Sequence, residues 1–131
     1  DFIGAYYGMY FLEICDYYAR ENNDELEMLK LLYQSLRALT NHSIPHKLTR
    51  CIFELKAIMV NGEFDGRGIG DSLNESTQYT IDYIMKTPSE KLYRFLVSEE
   101  VLKELVHFCR QLCRLTFDRD FKSLEILENL E

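Results

Sequence analysis

The sequence predicts an all-α protein, a compact bundle of about six to seven helices with a glycine-rich loop after the third. Three observations carry this. Apolar residues recur at spacings of three and four in one segment after another. Between those segments fall the serines, asparagines, prolines and glycines that start and stop helices. No stretch alternates apolar and polar residues as a half-buried strand does. A length of 131 residues with 47% hydrophobic residues suits one core-forming unit without metal or disulfide support. The expected organisation is a single helical domain over residues 1–131. It divides into a three-helix part (1–62), a glycine-rich loop (63–73) and C-terminal helices (74–131).

Residues 2–20 are apolar nearly all round, with Glu13, Asp16 and Arg20 as a narrow polar stripe. A helix of that composition is expected at the centre of a fold. Gly4 and Gly8 lie one turn apart and admit a close neighbour. The aromatics of this segment (Phe2, Tyr6, Tyr7, Tyr10, Phe11, Tyr17 and Tyr18) read as packing groups whose tyrosine hydroxyls reach the rim. Asn22-Asn23-Asp24 makes the turn, and Asp24 with Glu27 resembles a capping box. Leu29, Leu32, Leu36 and Leu39 then predict a buried seam. Asn41-His42-Ser43-Ile44-Pro45 is a second turn, with Pro45 suited to a helix's first position. Leu48, Cys51, Ile52, Leu55 and Ile58 face inward on the third helix, and Asn61-Gly62 ends it.

The periodicity lapses over 62–73, where Gly62, Gly66, Gly68 and Gly70 cluster. No strand precedes this stretch and no Gly-Lys-Ser/Thr comes after it, so it is a connector rather than a phosphate loop. Asn74 or Ser76 opens a fourth helix with Thr77, Ile81 and Ile84 on one side. Thr87-Pro88-Ser89-Glu90 predicts the start of a short helix carrying Leu92, Phe95 and Leu96. Ser98, with Glu99 and Glu100, starts a long helix over 99–117. Asp120 and Phe121 lead into a last short helix with Leu124, Leu127 and Leu130.

The net charge is −7, and both halves of the chain are acidic. Strong independent binding to nucleic acid calls for the opposite sign, because phosphate contacts dominate such affinity. No apolar run approaches the ~18 residues of a membrane span, so no membrane partner is expected. Cys15, Cys51, Cys109 and Cys113 lie within apolar patterns and lack zinc spacing. They read as buried free thiols in a reducing cytoplasm. The chain begins with Asp1 and is helical at once, so the reading is a fragment of a longer protein.

Chemical signatures are sparse. At about 100° per residue, Lys103, His107, Arg110 and Arg114 fall in one narrow wedge of the 99–117 helix. Leu102, Leu105, Val106, Cys109, Leu112, Cys113 and Phe117 surround it. A basic stripe with apolar flanks suits a phosphate backbone, or a peptide ending in acidic and hydrophobic residues, since arginine holds carboxylates bidentately. Glu104-x-x-His107 has the spacing of di-iron bundles, but no second pair exists. His42 and His46 flank a turn beside Ser43 without any nucleophile motif. The expectation is no enzyme, no catalytic residue, no metal and no cofactor.

Gly4-Ala5-Tyr6, the leucine-rich helix from Leu29 to Leu39, and Phe53-Glu54-Leu55-Lys56 running to Gly62 resemble, in order and spacing, the helical C-terminal region of the bacterial recombination-mediator family RecO. Near the end, Lys122 and Ser123 match the family's Leu-Lys-Ser-Arg-Arg-Phe-Leu. Leu124 and Glu125 replace its arginine pair. The family's OB-fold and four-cysteine zinc module are missing. The resemblance implies a non-enzymatic role in the RecFOR pathway of DNA repair and recombination: strand annealing, and recombinase loading with RecR. It implies as partners the acidic, hydrophobic C-terminal tail of the single-stranded DNA-binding protein, RecR, and single-stranded DNA, the last bound weakly by this fragment alone. The Lys103, His107, Arg110 and Arg114 stripe is the candidate dock, read from the helical wheel and not from the family. The alternative is a helical dimerisation or regulatory module with no DNA role, a homodimer whose two-fold contact uses exposed leucines such as Leu36 or Leu39.

Overall fold

The computed structural model describes residues 1–19, 25–66 and 72–131, and every regular element among them is helical. The order is α1 (Phe2–Ala19), α2 (Glu25–Leu39), α3 (His46–Val60), α4 (Glu75–Lys86), a 3-10 turn at Ser89–Lys91, α5 (Glu99–Thr116) and α6 (Lys122–Leu130). The turn expected at Asn22-Asn23-Asp24, the Asp24 part of the capping box, and Gly68 and Gly70 lie outside the described residues.

The central helix is α3, not α1. It packs against α1, α2, α4 and α5 and buries every residue from Leu48 to Ile58. The inward set read from the sequence is all buried, and so are Thr49, Arg50, Glu54 and Lys56 between those positions. α1 buries Tyr7, Tyr10, Phe11, Ile14 and Tyr18 but exposes Phe2, Met9 and Leu12. Composition points to α1 because hydropathy counts each charge as a demand for water. In α3 those charges find partners inside the protein, which removes the demand. Phe53 of α3 stacks on Phe11 of α1, with ring centroids 4.3 Å apart. The Lys56 ammonium donates to the carbonyls of Ile84, Met85 and Thr87 at 3.2, 2.9 and 2.6 Å, tying α3 to the end of α4.

The leucine seam of α2 also needs correction. Leu39 is buried and Leu32 half-buried, but Leu29 is 62% and Leu36 37% exposed. α2 instead turns Met28, Leu31, Ser35, Ala38 and Leu39 inward. The two candidate stripes differ by one residue, about 100° of rotation. The buried one contains Ser35, which hydropathy rejects. Its hydroxyl shares a hydrogen bond with that of Tyr93 at 2.6 Å, so the burial leaves no polar atom unpaired. Gly8 serves as expected. A Cβ there would lie 3.3 Å from Leu36 Cδ2, so α2 reaches the α1 backbone only because the side chain is absent. Gly4 faces the side chain of Asp1 instead.

Helix ends obey the sequence signals in part. Gly62 has φ +75°, and the amides of Asn61, Gly62 and Glu63 turn back to the carbonyls of Ala57, Met59 and Ile58. The Ser98 hydroxyl accepts from the Val101 amide at 3.2 Å. Pro45 sits at the cap of α3, one position before its first helical residue, and its carbonyl accepts from Leu48 and Thr49. The helix expected after Thr87-Pro88 is reduced to the 3-10 turn. The Thr87 hydroxyl donates back to the Tyr83 carbonyl and closes α4, so it does not cap the 3-10 turn. Leu92 is buried there, but Leu96 is exposed.

Polar tips tie α6 to α1. The Glu13 carboxylate accepts from the amides of Lys122 and Ser123 at 3.2 and 2.9 Å, filling the place of a cap at the start of α6. The Tyr7 hydroxyl donates to the Glu131 carboxylate at the other end. The four cysteines are free. Cys51 and Cys109 are buried, whereas Cys15 and Cys113 are only half-buried, less than the sequence suggests.

Candidate partner-docking surface

α5 is positioned by one line of small and medium apolar residues. Val101, Leu105 and Cys109 are buried against the rest of the bundle, and the Cys109 thiol points at the Cys51 carbonyl of α3, 3.8 Å away. This orientation leaves Lys103, His107, Arg110 and Arg114 together on the exposed edge of the helix. The flanks are Leu102, Val106, Phe108, Leu112 and Cys113, each half-buried.

Two clefts border the stripe. One, of about 380 Å³, runs between Lys47 of α3 and Leu102, Lys103, Val106 and His107 of α5. The other, of about 440 Å³, lies beyond Arg114, where Tyr10, Phe117 and Phe121 form an aromatic floor and Arg110, Arg114 and Arg119 stand at the rim with Asp118, Asp120 and Glu128. Arg110 borders both. Phe117 and Phe121 meet edge to face at 5.1 Å. The Arg119 guanidinium lies 4.9 Å from the Tyr17 ring centroid, a cation–π contact that holds it in place.

Beneath the second cleft is a buried polar cluster that periodicity does not reveal. Arg50 Nε donates to Glu54 Oε2 at 3.0 Å, one helical turn along α3. The Tyr10 hydroxyl donates to the same oxygen. Arg50 is 8% and Glu54 1% exposed. Burial opposes the charge of Arg50, but the Glu54 carboxylate outweighs it and holds the guanidinium above its ordinary pKa. Burial pushes the Tyr10 hydroxyl and the Cys113 thiol up, with Glu54 adding to both. Burial and Glu54 therefore favour the neutral thiol at Cys113. The available signal was the i, i+4 pairing of Arg50 with Glu54 inside an otherwise apolar helix. Lys47 and Arg119 carried none, because neither lies on α5.

The other sequence candidates resolve into structural roles. Glu104 accepts from the Thr77 hydroxyl at 2.6 Å and the Asn74 amide at 3.1 Å, so it fastens the start of α4. His107 points to solvent. Among the described residues no three His, Cys, Asp or Glu side chains come together as a metal requires. His46 pairs with Asp1 at 3.1 Å and lies against Tyr7. The Ser43 amide donates to Asn41 at 2.9 Å. No helix among the described residues is long and apolar enough to cross a membrane.

Comparison with known proteins gives one finding. Residues 1–63 match the family model described as Recombination protein O C terminal. This segment is similar to the C-terminal helical region of RecO. RecO acts in DNA recombination and repair. No curated protein and no solved structure gives a match. The match to RecO spans α1 to α3 and stops just past Gly62, so the basic edge of α5 lies outside it. Within the matched part, the four residues Phe53-Glu54-Leu55-Lys56 each have a structural task. Phe53 stacks on α1, Glu54 binds Arg50 and Tyr10, Leu55 is core, and Lys56 holds α4.

Proposed function

We propose that the chain is a non-enzymatic helical scaffold of a RecO-like repair protein, docking the tail of the single-stranded DNA-binding protein on the edge of α5. In this reading it supports strand annealing and recombinase loading. The observation that carries it is the exposed row of Lys103, His107, Arg110 and Arg114 running between two clefts, a mainly apolar one beside Lys47 and one of mixed lining beyond Arg114. The tail is acidic and ends in hydrophobic residues. Its carboxylates meet Arg110 and Arg114, which pair bidentately, and its apolar end meets the half-buried Phe117 and Leu124. Single-stranded DNA is a weaker partner in the same reading, because the net charge of −7 repels phosphates away from this edge.

The test is a fluorescence-anisotropy titration with a labelled tail peptide. Arg110→Glu combined with Arg114→Glu should weaken binding at least about tenfold, since reversed charges meet the peptide's own. Added salt should also weaken binding to the unmodified chain. Unchanged affinity in the double variant, with helicity intact, excludes this dock.

A further inference from the structure

We infer that the outer face of α1 and α2 docks a second copy of this chain, with the two α2 helices antiparallel. Leu26, Leu29 and Tyr33 are 60–62% exposed, and Leu36 continues their line. The spacing of three, four and three is that of a coiled-coil seam. On α1, Phe2, Met9 and Leu12 are exposed at seven and three residues apart. Leu36 sits against Gly8, so the two lines run side by side. Large apolar residues in this number are not needed to cover the protein's own core, which is closed by the opposite side of both helices.

Three features select a second copy as the occupant. The α2 line is symmetric about position 31, so in an antiparallel pair Leu26 meets Leu36 of the copy and Leu29 meets Tyr33. The ends of α2 carry opposite charge, Glu25 and Glu27 in the first turn and Arg37 in the last. Antiparallel pairing sets each acidic end beside a basic one, as the helix dipoles also favour. Lys30, which falls near the two-fold axis, is already paired with Glu27 at 3.6 Å, so the two lysines do not meet as bare charges. Finally, the exposed fractions leave on the order of 700 Å² of apolar side chain per copy, against the ~800 Å² per partner of a standard interface.

Sedimentation velocity on the 131-residue chain over a concentration series tests this. A monomer–dimer equilibrium in the micromolar range is expected. Leu29→Glu with Tyr33→Glu, both at exposed positions, should weaken it roughly tenfold or more, because central apolar contacts dominate such interfaces. Far-UV circular dichroism checks that the variant is folded. If it is not, Leu26→Lys, at the end of the line, provides the same reading. Arg110→Glu with Arg114→Glu should leave association unchanged, which separates this face from the α5 dock. A chain that stays monomeric throughout the series, or a dimer indifferent to Leu29, Tyr33 and Leu26, overturns the inference.

Discussion

Replacing Lys56 with methionine probes the central place of α3 most directly. The ammonium serves three carbonyls at once, those of Ile84, Met85 and Thr87. They belong to the end of α4, where carbonyls lack amide partners and the helix carries its partial negative charge. A hydrogen bond to a charged group contributes about 1.5–3 kcal/mol net. One ammonium shared three ways delivers less than three times that. Its own desolvation, which lowers the Lys56 pKa, takes back a further part. Methionine keeps the length of the stem and opens no cavity, but leaves the carbonyls without their donor at about 1–3 kcal/mol per buried group. The expected loss is about 3 kcal/mol, a large share of the ~5–15 kcal/mol of a domain. For a chain of this size that lowers Tm by about 10 °C. Urea unfolding monitored by circular dichroism should show a lower midpoint with unchanged slope, and hydrogen exchange should show α4 opening first. A loss below about 1 kcal/mol would refute the view that α3 is central because its charges are satisfied internally.

Two further outcomes rest on the same geometry. Tyr7, Tyr10 and Tyr18 have their pKa values raised, first by burial and then by the carboxylates of Glu131, Glu54 and Glu63. The folded state thus holds these protons more tightly than the unfolded one. Its advantage is whole below the free-tyrosine value of about 10 and is lost as pH rises above it. Phenolate absorbance should therefore show these three ionising together with unfolding, and a gradual titration of all nine tyrosines in an intact fold would contradict the burial described. On α2, Leu31→Ala should cost about 2–5 kcal/mol as a core truncation, whereas Leu29→Ala should stay within about 0.5 kcal/mol in the monomer. Equal losses in chemical denaturation would restore the leucine seam as the buried one.

Fold class, the stop at Gly62, the Ser98 cap and the inward face of α3 are all legible from periodicity and cap chemistry, whereas Thr87, read as opening the next helix, closes α4 instead. The rank of α1 and α3 is not. Hydropathy measures what a side chain wants from water, and Arg50, Glu54 and Lys56 obtain it from Tyr10, from each other and from α4. The phase of α2 is hidden for the same reason, through Ser35 and Tyr93. Of the candidate dock, the four positions on α5 are readable because they share one helix. The clefts beside them draw Lys47, Tyr10 and Arg119 from other elements, and no spacing within α5 encodes those neighbours.

By itself the sequence determined that this protein is helical, roughly where its helices end, and that four basic groups share one edge of α5. Those properties depend on neighbours three or four residues away along the chain. Only the tertiary structure decided which helix sits at the centre, which leucines face out, and that a buried arginine–glutamate–tyrosine cluster underlies the arginine-rimmed cleft. Each of these depends on whether a polar group finds a partner from a distant element, and burial is set by that pairing and not by the hydropathy of the residue alone.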